Sequence, residues 1–341
     1  MPRQRNKKKK FDQHLQHLIQ VQLERNYYNE NISLARKDRE LVDKNYIQKQ
    51  GKVEYNSVDA IAHYSFDWSQ NPSIPYSSQQ ASQMYFLTAL KVYLFGVHNE
   101  AIREQLNFVL AENELLNKGI NGTLSMVLAG IKSFNRGEKH LKLTCDNCVG
   151  QNKNNATIRF CQFLVSAGYY ETVELNFMIA GHTKFSPDRG FGMAKKKYWR
   201  STIFSKEEFV RLVEESSSAG LNKVRCYENG KGFQYYDFKV LGEYFEKLFN
   251  IAKYHHFLFE KSNPRVVKVK EFVDSEWEEF DLLKIEGRKK EEVIREIKGL
   301  VFNVLPPKSL SLERQEYIRK KIRPLLPKKY WNTLPLPNLQ H

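Results

Sequence analysis

The stretch LTCDNCVGQNKNN, residues 143–155, decides the fold because a strand, an exit loop and a helix start follow one another in it. We predict a strand over residues 141–145, with Asp146 in the loop that leaves the strand. A run of Asn and Gln then leads into an apolar helix over residues 156–167. Loops of this kind, at the carboxyl ends of strands, are where α/β folds build metal and phosphate sites.

The stretch FMIAGHTKFSPDRGFGMAKKKYW, residues 177–199, repeats the same order of elements. A predicted strand over residues 173–180 runs into a loop that contains His182, and a helix is expected after Pro187 because proline is favoured in a first helical turn. Two successive strands, each followed by a polar loop and a helix, predict two neighbouring strands with their loops at one edge of a sheet.

The residues before this pair of units predict three further strands and one helix. The strands are expected at residues 61–68, 84–97 and 105–111, although the last of these is equally compatible with a helix. Leu124, Val127, Leu128 and Ile131 share one face of a predicted amphipathic helix. The resulting order, βββαβαβα, is that of a ribonuclease H-like mixed sheet, and we predict an α/β fold of this class with N-terminal helices and a C-terminal α+β extension.

Composition shifts divide the chain into five predicted segments. They are a basic disordered tail (1–10), a helical N-terminal segment (11–54), the ribonuclease H-like core (55–204), the α+β extension (205–305) and a proline-rich, extended tail (306–341). In the extension we predict a helix capped by Ser205, a strand over 233–237, a helix over 240–248, paired strands over 253–259 and 265–272, and a basic helix over 289–300. The abrupt start in helix-forming residues is typical of a fragment of a longer protein.

The charge balance indicates a polyanionic partner. In 341 residues, Lys and Arg number 54 against 39 Asp and Glu, a net charge of +15. This excess favours nucleic acid, with DNA expected first and an anionic membrane surface second, although an ordinary basic protein is the alternative. Four cysteines do not form an extracellular disulfide pattern, and we find neither a signal peptide nor an apolar run that could span a bilayer. We expect the cytosol or the nucleus, and the basic run at residues 3–10 favours the nucleus, although such runs also occur in ordinary disordered tails.

Three aspartates lie at or near the ends of predicted strands and helices. Asp67 lies near the end of the first strand, Asp146 follows the fourth strand, and Asp188 begins the helix after the fifth. In a ribonuclease H-like arrangement the first and fourth strands are neighbours, so the three carboxylates are expected to converge. Crowded carboxylates repel one another, and hard oxygen ligands suit Mg²⁺ or Mn²⁺. The alternative is three unrelated aspartates in loops and helix caps, where Asp is common.

Several motifs resemble an uncharacterised eukaryotic domain family that is common in transposon-rich genomes. They are HYSFDWSQ (63–70), CDNCVGQNKNN (145–155) and GHTKFSPDRGFG (181–192), and the resemblance extends over about residues 55–280. The family shares DNCxGQNKN followed by GHTxFxPD. It is similar to transposases and integrases with a ribonuclease H-like core, which implies that Asp67, Asp146 and Asp188 form a catalytic metal triad. The third acid departs from the more usual Glu.

Further polar residues near the aspartates suggest nucleic-acid contacts. His182 is a candidate metal ligand, phosphate contact or proton donor, or else a histidine bonded to the loop backbone. Gln151, Asn152 and Lys153 lie where a helix begins and are candidates for binding a phosphate, the alternative being that they only cap the helix and hold the loop. A third candidate set for contacting phosphates, with Tyr198 and Trp199 as stacking partners, comprises Lys195, Lys196, Lys197 and Arg200.

Cys145 and Cys148 form a single C-x-x-C pair, which lacks the two further ligands that zinc needs, so we expect a structural role. The sequence therefore predicts a transposon-derived, metal-dependent nuclease or DNA strand-transferase. The alternative is a descendant that keeps the fold and binds nucleic acid without catalysis. An oligomer is compatible with either function.

Overall fold

The computed structural model describes residues 2–79, 84 and 86–336, with side chains from residue 10 onward. Within this part of the chain, nine strands form one mixed sheet in the order β10-β6-β5-β1-β7-β8-β11-β12-β13. The strands are β1 (Val58–Trp68), β5 (Tyr93–Asn99), β6 (Glu104–Leu110), β7 (Glu138–Cys145), β8 (Thr172–Phe177), β10 (Asn222–Arg225), β11 (His256–Glu260), β12 (Val266–Lys270) and β13 (Glu278–Asp281). The predicted α/β class is confirmed.

Two short ribbons lie beside the sheet, and helices cover both of its faces. The ribbons pair β2 (Ser73–Ile74) with β4 (Leu90–Lys91) and β3 (Tyr76–Ser77) with β9 (Thr202–Ile203). The helices are α1 (Pro2–Gln48), α2 (Ile120–Phe134), α3 (Asn155–Ser166), α4 (Ser186–Tyr198), α5 (Lys206–Glu214), α6 (Lys290–Lys298) and α7 (Leu312–Tyr317). Shorter 3₁₀ segments span Glu228–Gly230, Phe238–Glu243, Ile251–Lys253, Arg323–Leu325 and Lys328–Thr333, and a π-helical turn spans Ile318–Ile322.

Five strands close to the predicted ones form the centre of the sheet, although the strand predicted over 84–97 is only Tyr93–Asn99, and Leu90–Lys91 pairs in a separate ribbon. β1 pairs antiparallel with β5, which pairs antiparallel with β6, and β1 pairs parallel with β7, which pairs parallel with β8. Tyr64, Phe66 and Trp68 alternate along β1 and enter an apolar core together with α2 and α3. The period of two along a strand places the intervening residues on the opposite face, under α1 and α4.

The predicted C-terminal extension lengthens this same sheet at both edges. β10 adds to β6, and β11 adds antiparallel to β8, followed by β12 and β13. The predicted pairing of strands near residues 253–259 and 265–272 is confirmed. The strand predicted over 233–237 is wrong, since only an isolated bridge between Tyr236 and Val304 occurs there, and the helix predicted over 240–248 is a 3₁₀ segment, Phe238–Glu243.

Both ends of the described chain are more ordered than the sequence suggests. Helix α1 begins at Pro2, so it includes residues that we expected to form a disordered tail. The proline-rich segment, expected to be extended, instead packs on the fold through buried Ile318, Ile322 and Leu326. Arg314 fixes α7 with two hydrogen bonds to Glu112, of 2.9 and 2.8 Å. Residues 337–341 of that predicted tail, and residues 80–83 and 85 in and before the predicted second strand, lie outside the described residues.

The face of the sheet under α1 is polar where it meets that helix. Glu100, buried at the end of β5, accepts hydrogen bonds from Tyr28 of α1 (2.5 Å), Ser65 of β1 (2.6 Å) and Ser186 of α4 (2.8 Å). Since each donor comes from a different element, one carboxylate ties the two helices to the sheet. Buried hydrogen bonds of this kind set the position of α4, and with it the position of Asp188.

Candidate active site

Asp67 lies near the end of β1 on the face covered by α1 and α4. Its neighbours in the strand, Phe66 and Trp68, point into the apolar core on the other side. The carboxylate is half-buried, and its Oδ1 accepts a 2.7 Å hydrogen bond from the backbone N–H of Trp68. The strand therefore directs a partly desolvated acid toward the end of the sheet.

Asp146 follows β7, the parallel neighbour of β1. Ser65 lies opposite Thr144 in the register of the two strands, so Asp67 and Asp146 each lie two residues beyond a paired position. The Oδ1 of Asp146 accepts hydrogen bonds from the N–H of Cys148 (3.0 Å) and from the side-chain amide of Asn152 (2.5 Å). These two bonds hold the carboxylate within its loop.

Asp188 lies in the first turn of α4 and is exposed to solvent. Its Oδ2 accepts a 3.2 Å hydrogen bond from the backbone N–H of Phe185, the residue that precedes the helix. Asp188 therefore caps its own helix, which is a common use of Asp at this position.

Electrostatics link the three aspartates. Burial, followed by the negative charge of Asp146, raises the pKa of Asp67 to about 7 from its ordinary value of 3.8. The charge of Asp188 also raises this pKa, while the hydrogen bond from Trp68 and the charge of Lys118 lower it. Like charges disfavour ionisation when they are close in a partly desolvated site, so Asp146 and Asp188 both raise the pKa of Asp67.

The positions of the side chains limit the number of metal ligands that the protein itself can supply at this site. Among the residues that the structure describes, no group of three or more His, Cys, Asp and Glu side chains is arranged to hold a metal ion. The side-chain positions therefore do not form a complete set of protein ligands. Mg²⁺ often uses only one or two carboxylates and completes its ligands with water and substrate phosphate, so the oxygen donors of Asp67 and Asp146 suit that ion chemically.

His182 contacts helix α1. Its ring lies 5.2 Å from the ring of His17, and its carbonyl oxygen accepts a 2.9 Å hydrogen bond from Arg25. These contacts hold the loop between β8 and α4 against α1.

The loop after Asp146 presents fewer free polar groups than the sequence suggests. Lys153 is 3% exposed, and its ammonium donates to the Asn147 side chain (3.0 Å) and to the carbonyl of Ala252 (3.1 Å). Burial lowers the pKa of Lys153 to about 8. Asn152 is 1% exposed and bonds Asp146.

The helix that follows is capped by Asn154, whose side chain accepts from the N–H groups of Ala156 and Thr157. Gln151 is half-buried, and its backbone N–H donates to the carbonyl of Cys148. Of the two alternatives for Asn152 and Lys153, these bonds favour the one in which they hold the loop. The reason is that the chain folds back over them near Ala252, a contact that local sequence does not reveal.

At the basic end of α4, some side chains are exposed and others pack against or pair with the rest of the fold. Lys196 and Arg200 are exposed, as is Trp199 at 59%. Lys197 instead pairs with Glu215 at 2.7 Å, and Tyr198 is buried against Tyr76, with ring centroids 4.0 Å apart.

Lys195 and Trp199 line a cavity of about 100 Å³ beside Ser69, two residues beyond Asp67. The cations of α4 and an exposed indole therefore do lie near the end of β1.

A wider groove of about 630 Å³ lies at the amino-terminal ends of α2 and α3. Arg159 and Lys239 line it, and neither helix has an acid in its first turn. Lys118, immediately before the Gly119 that starts α2, has a pKa that burial lowers and the charge of Asp67 raises, which places this groove beside the carboxylates. Sequence analysis missed the groove because its lining residues come from three separate stretches, 117–121, 154–159 and 238–239, which share no motif.

Comparison with known proteins identifies a family but no function. In the part of the chain that the structure describes, no helix is both long enough and apolar enough to cross a membrane. No curated protein and no solved structure matches the chain. A family model described as "Domain of unknown function (DUF7869)" matches residues 82–275, a region that contains Asp146 and Asp188 and begins after Asp67. Because this match covers more than half of the 341 residues, the chain belongs to the DUF7869 family.

Proposed function

We propose that this protein is a metal-dependent nuclease or strand-transferase that acts on DNA, with a ribonuclease H-like core. The observation that carries the proposal is the raised pKa of Asp67, caused by burial and by the charges of Asp146 and Asp188. A partly buried carboxyl group whose ionisation is opposed by neighbouring acids favours a divalent cation as the neutralising group.

The strand order supports the choice of fold. Numbered in chain order, the five central strands lie side by side as third, second, first, fourth and fifth, and only the second runs antiparallel to the others. This is the arrangement expected for a ribonuclease H-like sheet, and in it the first and fourth strands direct their carboxyl ends to one edge. Asp67 and Asp146 lie at that edge.

The residues of the site have separable roles in this proposal. Asp67 and Asp146 would hold Mg²⁺ or Mn²⁺, which supplies activation of water or of a 3′-hydroxyl and charge stabilisation at the phosphate. Asp146 is kept in position by Asn152 and by the N–H of Cys148. Lys118, whose charge acts on Asp67, and Lys195, which lines a cavity with Ser69, are positive charges suited to the nucleic-acid backbone.

Surface charge supports nucleic acid as the partner. The net charge of +15 is accompanied by the groove lined by Arg159 and Lys239 beside the carboxylates and by the exposed cations at the end of α4. Positive side chains along a groove attract a phosphate backbone and release its counterions. We infer a nuclear location from the basic start of the chain and from DNA as the substrate.

A second candidate function is nucleic-acid binding without catalysis. It is favoured by the exposure of Asp188, whose described hydrogen bond only caps its own helix, and by the lack of a three-ligand metal group among the described side chains. In that case the sheet would serve as a scaffold for the basic surface.

Cleavage of end-labelled DNA by the full chain separates the two candidates. We expect cleavage with Mn²⁺ or Mg²⁺, none with a chelator, and loss of cleavage to background in Asp146→Asn. Asp59→Asn is the matched control, since Asp59 is an exposed acid near the opposite end of β1. Cleavage that survives Asp146→Asn rules out the assignment, and DNA binding without cleavage in every metal identifies the second candidate.

A further inference from the structure

A small cleft on the other side of α4 carries three arginines. It has a volume of about 50 Å³ and lies between α1, the first two turns of α4 and the turn that joins β5 to β6. Arg36 of α1, Arg103 of the turn and Arg189 of α4 line it. These residues are 67 to 153 positions apart in the sequence, so only the fold brings their charges together.

In the part of the chain that the structure describes, no acid forms an ion pair with the three arginines of this cleft, although the buried carboxylate of Glu100 lies 3.8 Å from His98 and accepts a hydrogen bond from Ser186, both of which line the cleft. Among the residues that the structure describes, neither Arg103 nor Arg189 forms an ion pair or a side-chain hydrogen bond, and Arg36 uses its Nε to donate to the carbonyl of Glu100 at 3.1 Å. The two terminal nitrogens of Arg36 have no protein acceptor in that part of the chain. Unneutralised guanidinium groups gathered at one place favour an anion as the missing partner.

Two buried polar atoms at the floor of the cleft have no hydrogen-bond partner among the described residues. Gln105, which is 1% exposed, and His98 line the cavity, and the described residues offer no hydrogen-bond partner to Gln105 Oε1 or His98 Nδ1. Buried polar atoms are nearly always satisfied by protein, water or ligand. His98 Nδ1 can donate to an anion when it carries the ring proton, whereas the amide oxygen of Gln105 only accepts and needs a donor, so the pair indicates a polar occupant and the arginines indicate that it is an anion.

The backbone of Arg103 adds a separate observation. Its φ of 61° lies in the left-handed region, which residues other than Gly, Asn and Asp seldom adopt. Such conformations cluster at binding sites because the surrounding structure must hold them. Here the conformation places a guanidinium at the rim of the cleft.

Size and position identify the class of anion. A cavity of about 50 Å³ accommodates a single tetrahedral oxyanion, and the planar fork of Arg matches phosphate oxygens. Arg189 directly follows Asp188, and Ser186 of the same helix turn lines the cleft. The cleft therefore lies beside the helix turn that carries Asp188.

We propose that Arg36, Arg103 and Arg189 bind one phosphodiester group of the nucleic-acid strand, next to the carboxylate site. This inference rests on the proposed function for the identity of the strand, but not on catalysis. The cleft anchors the backbone on one side of α4 while the acids lie on the other.

The test is binding of fluorescein-labelled single-stranded DNA, followed by anisotropy in chelator from 50 to 300 mM salt. We expect Arg189→Gln and Arg103→Asn each to weaken binding about 3- to 10-fold and to reduce the slope of log K against log salt by about 0.7, the value for one phosphate on a single strand. Asn at position 103 keeps a residue that tolerates the left-handed backbone. Arg295→Gln on α6 is the charge-matched control, because α6 packs on α3, on the other face of the sheet.

A second arm distinguishes a nucleic-acid phosphate from a free one. Inorganic phosphate at 10 mM is added to the wild type and to Arg189→Gln, and the melting temperature is compared with that in a chloride solution of equal ionic strength. Stabilisation of the wild type alone, combined with unchanged DNA binding in both variants, identifies a free-anion site and overturns the proposal.

Equal DNA binding by Arg189→Gln, Arg103→Asn and Arg295→Gln also overturns it. Neither outcome touches the proposed nuclease, which depends on Asp146. Conversely, one outcome is that the wild type cleaves no DNA while the two cleft variants bind DNA more weakly. That outcome supports the phosphate site and rules out the nuclease.

Discussion

The carboxylate of Asp146 raises the pKa of Asp67 across the boundary between two parallel strands. Both acids lie two residues beyond a paired position of β1 and β7, so the register of the sheet sets their proximity. The raised pKa of Asp67 is caused first by burial and second by the neighbouring charge. Four predictions follow from this site and from the helix beside it.

The first prediction concerns pH and stability without divalent cations. Because the folded-state pKa of Asp67 is raised to about 7 from 3.8, the protonated acid favours the fold. Its contribution to the free energy of unfolding is complete below about pH 4 and is lost as pH rises through 7, by at most about 4 kcal/mol. Asp67→Asn should therefore be more stable than wild type at pH 8 and similar to it at pH 4, as measured by urea denaturation in chelator. A difference between the two proteins that does not grow with pH would contradict the raised pKa.

The second prediction concerns the cation itself. At pH 8, Mn²⁺ or Mg²⁺ should raise the melting temperature of the wild type, because a ligand that binds only the folded state stabilises it. Asp67→Asn and Asp146→Asn should lose this response, and Asp59→Asn should retain it. Differential scanning fluorimetry over a metal titration provides the measurement. An equal metal response in all four proteins would place the cation elsewhere.

The third prediction separates two roles of Asp188. Asn at this position can still accept the hydrogen bond from Phe185, so Asp188→Asn should keep the helix cap, whereas Asp188→Ala should lose about 1 kcal/mol of stability. If Asp188 acts only as a cap, Asp188→Asn cleaves DNA normally. Loss of cleavage in a stable Asp188→Asn protein would instead make the charge of Asp188 part of the catalytic site, which is the outcome that we expect.

The fourth prediction tests the packing of α4 on the sheet. A Cβ added at Gly190 would lie 2.3 Å from Oε1 of the buried Gln105, whereas a Cβ at Gly192 meets nothing within 4 Å. Gly190→Ala should destabilise the protein by roughly 1–3 kcal/mol, since an overpacked contact must displace the helix. Gly192→Ala, in the same helix, should be neutral or stabilising by up to about 1 kcal/mol from helix propensity. Equal stability of the two variants would show that α4 does not pack closely on β6.

The sequence alone determined the central elements, because their signals are local. The alternation around Asp67, the loop after Cys145 and the proline at the start of α4 predict two strands and a helix that the structure contains. The order of the elements predicted the α/β class for the same reason. Asn154 and Ser205 were likewise readable as helix starts, since a cap acts within three residues.

Only the tertiary structure decided which polar residues are free. Lys153 was a candidate phosphate contact, but the chain near Ala252 covers it, and Lys197 forms an ion pair with Glu215. No sequence pattern predicts the arginine cleft, because Arg36, Arg103 and Arg189 come together only when α1 and α4 lie on the same face of the sheet. Burial and charge compensation depend on contacts between distant segments, so local sequence determined where the elements begin and end, and packing determined which of their side chains remain available for chemistry.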